Sequence, residues 1–171
     1  PRPADTPPAM SDAQARREAQ ATAVEARALR DYLRAHIPLA AAMDIDVLVA
    51  DDDAVRLSAP LAPNINHRDT AFGGSVSALA ILAAWSLLHL RLRAAGIANR
   101  LVIQRNLMEY VRPIDGTFTA RAILATPESW EPFVGLLQRR GKARIAVLAT
   151  VEYDGAIAGN FEGNFVALTG T

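Results

Sequence analysis

The 171-residue sequence has no cysteine, only three histidines and no net formal charge. The missing cysteine excludes thiolate catalysis, disulfides and cysteine-ligated zinc. The histidines His36, His67 and His89 lack the spacing of a His-x-x-x-His motif, so we expect no metal site. Because 18 basic residues balance 18 acidic ones, the chain also lacks the basic footprint of a nucleic-acid-binding protein.

Secretory and membrane-spanning segments are not evident either. The first residues, Pro1–Ser11, are rich in proline and lack an apolar core segment. The run Val76–Leu90 carries no formal charge, but it contains Ser77, Ser86 and His89 and falls short of the ~18–20 apolar residues of a membrane span. We therefore expect a helix buried inside a globular domain, no membrane partner and a cytoplasmic location.

The composition favours one globular domain, since 51% of the residues are hydrophobic and 21% are charged. After the proline-rich lead, Asp12–His36 is rich in the helix formers Ala, Glu, Gln and Arg. Its first half is polar all round, as in a linker, whereas Leu29, Tyr32 and Leu33 begin an apolar stripe that should dock on the domain. We divide the chain into a lead with a polar helix at 1–28 and a domain at 29–171.

Hairpins dominate the remaining pattern, and only one long helix interrupts them. The turn residues at Asp51–Asp53, Asp115–Gly116 and Asp154–Gly155 each predict a hairpin. Such an order predicts an α+β fold in which an antiparallel sheet wraps around a long central helix, with an extra helix at the N-terminus. Strands are predicted at Ile45–Ala50, Ala54–Ala59, Arg100–Val111, Thr117–Ala125, Lys142–Tyr153 and Ile157–Leu168, and helices at Gly74–Ala95 and Thr126–Arg140.

The polar loop Asn64–Ser75 is the most informative segment, because it turns on Gly73 and Gly74 directly into the apolar run Val76–Leu92. The first backbone N–H groups of a helix have no intrahelical acceptor and point out of its N-terminus. They can stabilise a carbonyl oxygen that gains negative charge, and glycine lets a ligand approach them closely. The alternative is that the two glycines only make a tight turn.

These residues resemble a known family. The pattern Asn-His-x-x-Thr-Ala-Phe-Gly-Gly-Ser at 66–75, Ala-Trp at 84–85 and the strand Met108–Pro113 are similar to the hotdog fold, and more narrowly to the thioesterase-like domain of the YiiD C-terminal type. The resemblance covers roughly Leu33 to Leu168. It implies a homodimer or a dimer of dimers, a substrate held as a thioester on coenzyme A or acyl carrier protein, and no separate cofactor.

The resemblance also assigns roles to individual positions. Asn66 occupies the place of an asparagine that orients the nucleophilic water or the thioester in hotdog thioesterases, although a turn asparagine bonded to its own loop is the alternative. Such relatives carry a catalytic Asp or Glu in the central helix, where this chain has Ile81. They also have a histidine before the glycines, where this chain has Phe72. The usual carboxylate route is therefore missing.

Two side chains can replace the missing base. His67 is one candidate, because histidine is the commonest general base in enzymes, and Asp69 could orient it. Glu109 is the second candidate, because hotdog sites receive side chains from strands of the partner. A loop histidine bonded to a carbonyl and a solvated strand residue are the respective alternatives. The catalytic candidates are Asn66, His67, Gly73, Gly74 and Glu109, and the substrate-binding candidates are Asn64, Phe72, Ser75, Leu79, Leu82 and Tyr110.

The sequence therefore predicts a thioesterase that hydrolyses acyl-CoA or acyl carrier protein thioesters at a dimer interface. Because Ile81 cannot titrate, a module that binds acyl thioesters without hydrolysing them is one alternative. A hotdog hydratase or dehydratase is another, although the Asp/His pair that such enzymes use is not evident here.

Overall fold

The computed structural model describes residues 12–170, and the side chains from residue 20 onward. The helices are α1 (Asp12–His36), α2 (Pro38–Ala42), α3 (Gly73–Ala94) and α4 (Trp130–Arg140). The strands are β1 (Asp46–Ala50), β2 (Val55–Ala59), β3 (Arg100–Tyr110), β4 (Phe118–Leu124), β5 (Lys142–Tyr153) and β6 (Ala156–Leu168), and short 3-10 turns lie at Ala62–Asn64 and Pro127–Ser129.

The six strands form one sheet in the order β1-β2-β4-β5-β6-β3, and every neighbouring pair is antiparallel. Side chains alternate between its two faces, so that in β4 and β5 buried apolar residues alternate with more exposed residues on the outer face. The predicted α+β architecture, with a sheet around one long helix and an extra N-terminal helix, is confirmed.

Helix α3 is the centre of the core. It has the length and apolar composition of a membrane span, but 61% of its most apolar window is buried inside the fold. Packing against β2, β4 and β5 therefore explains its apolar surface on nearly every side. The buried residues of α3 are Val76, Leu79, Ala80, Leu82, Ala83, Ala84, Ser86, Leu87, Leu88, Leu90 and Leu92.

Helix α1 packs along β1 and covers that edge of the sheet. Leu29 and Leu33 are buried in the core, as their apolar stripe predicts. The guanidinium of Arg34 donates through Nε to the carbonyl oxygen of Ile45 at 3.1 Å, and Arg30 lies 3.8 Å from the Asp46 carboxylate. The core contacts of α1 begin at Ala26, slightly before the boundary drawn from the sequence.

The turn predictions have different outcomes. Asp154–Gly155 joins β5 to β6 in a tight hairpin, and both residues have positive φ (50° and 69°), as a type I′ turn requires. Asp115–Gly116 was predicted to make a hairpin as well, and that prediction is wrong. β3 pairs with β6, whereas β4 pairs with β2 and β5, so the connection from β3 to β4 crosses the sheet.

Two local features of the helices differ from the predictions made from the sequence. Pro38 does not only interrupt α1, because it starts the short helix α2, where its missing N–H is harmless. The predicted helix from Thr126 is split into the 3-10 turn Pro127–Ser129 and α4. Neither difference alters the layer arrangement.

Candidate active site

The loop before α3 is anchored by Asn64, which is 1% exposed. Its side-chain Nδ2 donates to the backbone carbonyl oxygens of Met43 and Pro60 at 2.9 and 2.8 Å. Its backbone carbonyl oxygen accepts from the N–H of Phe72 at 2.7 Å. Asn64 therefore ties α2, the end of β2 and the start of α3 together. The sequence predicts Asn64 as a substrate-binding residue; in the structure its Nδ2 bonds within the fold, whereas its Oδ1 is buried and has no partner among the described residues.

Asn66 organises the tip of the same loop. Its Oδ1 accepts from the N–H of Arg68 at 2.7 Å, and its Nδ2 donates to Oγ1 of Thr70 at 3.0 Å and to the carbonyl oxygen of Ala71 at 3.3 Å. The N–H of Asn66 also donates to the carbonyl oxygen of Thr70. These bonds are those of a turn asparagine.

The N-terminus of α3 presents free donors. Phe72 is the capping residue, and its side chain makes no capping hydrogen bond. The first helical bond runs from the N–H of Val76 to the carbonyl oxygen of Phe72 at 3.1 Å. Within residues 12–170, the N–H groups of Gly73, Gly74 and Ser75 have no hydrogen-bond acceptor. They are available to a ligand, at the positive end of the helix dipole.

Two aromatic rings flank these donors. Tyr110 donates from its hydroxyl to the carbonyl oxygen of Gly73 at 3.0 Å, and a Cβ on Gly73 would lie 3.4 Å from Cε1 of the Tyr110 ring. A Cβ on Gly74 would overlap the ring of Phe72, which is 58% exposed. The helix start is thus framed by aromatic side chains rather than filled by them, and Gly74 remains exposed.

A cleft of about 330 Å³ opens beside this helix start. Its walls are mostly apolar, which suits an acyl group, and Gly73 and Tyr110 lie at its surface. The lining residues are Thr70, Ala71, Gly73, Val76, Tyr110, Val111, Arg112, Pro113, Ile114 and Ala158. Gly73 and Tyr110 were predicted as site residues from the sequence, whereas Arg112, two residues after the end of β3, was not.

Two predicted acyl contacts lie elsewhere. Leu79 is fully buried and Leu82 is 7% exposed, and both belong to the core rather than to the cleft. The same helix carries Ile81 at half-buried depth, so no carboxylate from α3 faces the described cleft.

The two candidate bases lie in different surroundings. His67 is exposed at the loop tip and has no hydrogen bond among the described residues, and Asp69, whose φ is 59°, forms no ion pair with it. Glu109 accepts a hydrogen bond from Nδ2 of Asn160 at 3.1 Å on the outer face of the sheet. Because successive strand residues face opposite sides, Tyr110 points to the helix start and Glu109 points away from it.

Within the part of the chain that the structure describes, no cluster of three or more His, Asp or Glu side chains could hold a metal ion. The site therefore consists of backbone donors, two aromatic rings, an apolar cleft and one arginine.

Known proteins share this architecture. A family model described as "Putative thioesterase (yiiD_Cterm)" matches residues 26–169. A protein of unknown function from Chlorobaculum tepidum is 29% identical with a TM-score of 0.80, and the match covers 85% of this chain and 94% of that one. A "putative thioesterase" from Shewanella oneidensis is 26% identical with a TM-score of 0.74, covering 84% and 96%. A probable thioesterase from Pseudomonas aeruginosa, at 19% identity and a TM-score of 0.74, covers 84% and 95% and shares the fold.

Proposed function

This chain belongs to the YiiD_C family of thioesterase-like proteins, and on that premise we propose that it hydrolyses acyl-CoA thioesters at the start of α3. The observation that carries the proposal is the set of unpartnered N–H groups of Gly73, Gly74 and Ser75 beside an apolar cleft. A coenzyme A thioester as substrate also fits the cytoplasmic location expected from the sequence.

The proposed reaction begins with the thioester carbonyl oxygen on these N–H groups. Water attacks the carbonyl carbon, and the oxygen gains negative charge that the fixed donors stabilise, an effect worth about 10²–10³ in rate per donor. The C–S bond then breaks, so that the thiolate leaves and takes up a proton and the acyl group leaves as a carboxylate. Because the donors are backbone groups at a helix start, they need no reorganisation during the reaction.

We assign proton abstraction from the water to His67. It lies in the same loop as Thr70, which lines the cleft, and no described residue occupies its ring nitrogens. Glu109 is less suitable as the base. If two subunits pair through the edge strands of their sheets, the joined sheet keeps the outer face of each subunit on the same side. Glu109 of the partner subunit would then lie on the outer face as well.

The proposed assembly is a homodimer that pairs β3 with its copy. β3 is 11 residues long and, within the described residues, its outer edge pairs with no strand. Long unpaired edges with exposed apolar residues are ready templates for another chain, and Leu107 is 66% exposed. An antiparallel pairing centred on Leu107 places Arg105 opposite Glu109 of the partner subunit, since each lies two residues from that centre. Opposite charges then meet on both sides of the axis.

A module that only binds acyl thioesters remains the second candidate function. The specific observation in its favour is the lack of a carboxylate among the residues that line the described cleft. Such a protein would hold the thioester on the same N–H groups without activating a water.

The test is hydrolysis of acyl-CoA thioesters of increasing chain length, followed with a thiol-trapping dye. Because the chain has no cysteine, the protein itself consumes no dye, and weak turnover can be measured at high enzyme concentration. We expect release of coenzyme A that saturates with substrate and falls by about tenfold or more in His67→Gln. Tight binding without release would support the binding module, and neither binding nor release would contradict both.

A further inference from the structure

Among the described residues that line the cleft at the start of α3, Arg112 is the only charged one. It is half-buried, and its neighbours in the lining are Val111, Pro113, Ile114 and Ala158. A cation in mostly apolar surroundings is costly unless it has a partner. We therefore consider which hydrogen-bond acceptors and counterions surround its guanidinium.

The backbone of Arg112 is fixed in the wall of the cleft. The N–H groups of Val111 and Arg112 both donate to the carbonyl oxygen of Ala158, at 2.9 and 3.3 Å. Pro113 follows and restricts the backbone further. The side chain can therefore change its rotamer while its Cα stays beside the helix start.

The guanidinium has only weak protein partners. Its central carbon lies 5.1 Å from the centre of the Tyr153 ring, and one Nη donates to the carbonyl oxygen of Ala156 at 3.4 Å. Its Nε is shielded from solvent and has no hydrogen-bond partner in the described structure. No described carboxylate lies within 4.0 Å of it, and the nearby Asp115 accepts the hydroxyl of Tyr153 instead.

We propose that Arg112 binds a carboxylate at the far end of the acyl group, so that the preferred substrate is a short dicarboxylic acyl thioester. This inference rests on the proposed function of the same cleft. A guanidinium presents a planar set of donors that matches a carboxylate in a bidentate pair. The carboxylate replaces the long contact to Ala156 and supplies a close counterion, which no described carboxylate provides within 4.0 Å.

The size of the cleft separates this anion from the phosphates of coenzyme A. Arg112 and Gly73 line one cleft of about 330 Å³, so an anion held by Arg112 lies close to the thioester carbonyl. The phosphates lie at the opposite end of the long pantetheine arm. An acyl chain of a few carbons spans the two contacts, with its carbonyl at the helix start and its terminal carboxylate at the guanidinium.

The experiment compares glutaryl-CoA with its ω-amide, which has nearly the same shape and no terminal charge. Initial rates are measured for the wild type, Arg112→Gln and Arg112→Lys, with Arg121→Gln as a control because Arg121 is exposed on the outer face. We expect the wild type and the control to prefer glutaryl-CoA by about tenfold or more in kcat/KM. Arg112→Gln should abolish the preference by raising KM for glutaryl-CoA alone, and Arg112→Lys should restore it in part.

Binding of the non-hydrolysable thioether analogues of both substrates, measured by calorimetry, distinguishes this inference from the proposed function. A preference for the charged analogue that depends on Arg112 supports the inference even if neither thioester is hydrolysed. Equal losses for both compounds in Arg112→Gln would assign Arg112 to a phosphate or to the fold and overturn the inference. The same conclusion would follow if the wild type had no preference.

Discussion

Gly73 and Gly74 leave the start of α3 open, and an aromatic ring lies beside each of them. Both residues were selected from the sequence because glycine at a helix start exposes backbone donors. In the structure Gly73 lines the cleft and Gly74 is exposed beside it in the chain. Asn66 shows the limit of such reasoning. Its position in the motif predicted a contact with water or thioester, but only coordinates could show that its amide is used inside the loop.

Substitution of Gly73 by alanine tests the approach of the thioester to the helix start. The new Cβ would lie 3.4 Å from the Tyr110 ring, an ordinary contact, and alanine favours the helix, so we expect no loss of thermal stability. The methyl group occupies the space that the carbonyl needs, and kcat/KM should fall by about tenfold or more. Gly135→Ala in α4 is the matched control. Full activity of Gly73→Ala would contradict this role of the helix start.

At the scale of the elements, the apolar stripe of α1 predicts that this helix docks on the domain, but not which of its residues meet residues of α3. Tyr32 of α1 stacks on His89 of α3 with ring centres 5.0 Å apart, and His89 stacks on Trp85 at 4.7 Å. Glu25 forms an ion pair with Arg93 farther along the same two helices. Helical periodicity could place these residues on one face of each helix, but not opposite one another.

The stability of this docking should depend on pH through His89. Burial, followed by the charge of Arg93, lowers the pKa of His89 below its ordinary value of 6.5, although Glu25 opposes the shift. The unfolded chain then binds more protons than the folded chain between the two pKa values, so stability falls as the pH drops below about 6.5. Urea unfolding across this range should show a smaller pH dependence in His89→Phe, which keeps a ring in the stack. An unchanged pH dependence would exclude His89 as its source.

Strand positions and strand pairing differ in how far a sequence predicts them. Lys142–Tyr153 matches β5 from end to end, because its alternation of small apolar and polar residues is a local signal. The pairing of β3 with β6 is not local. Asp115–Gly116 has the composition of a tight turn, but the partner of each strand is decided by packing on α3, which no short window of residues contains.

The core residues of α3 are also hard to distinguish from its cleft residues on the basis of the sequence. Leu79 and Leu82 were expected along the acyl chain, yet they pack in the core. An apolar residue on a central helix has the same signature in both roles. Arg112 was missed for the opposite reason, since a single arginine at a strand end is ordinary until its lack of a counterion is visible.

At the scale of the whole molecule, the edge of β3 that pairs with no described strand is where we propose that a second copy binds. In the proposed dimer, Arg105 of one subunit faces Glu109 of the partner subunit on either side of Leu107. Reversal of one charge places like charges opposite each other in two symmetric positions, which costs affinity.

Charge exchange therefore tests the register of this dimer. Arg105→Glu and Glu109→Arg should each weaken the dimer by about tenfold or more in Kd, and the double variant should restore it. Sedimentation equilibrium over a concentration series measures the three variants against the wild type. If the double variant is no better than the single ones, the two residues are not opposite each other.

The most direct test of whether the N–H groups at the start of α3 bind the carbonyl oxygen is their NMR response to a ketone analogue of an acyl-CoA. In this analogue a methylene group replaces the sulfur. We expect the amide protons of Gly73, Gly74 and Ser75 to shift downfield as the analogue saturates the protein, because each gains an acceptor that it lacks among the described residues of the free protein. Saturation of the analogue with these three signals unmoved, and changes confined to other parts of the chain, would contradict this expectation.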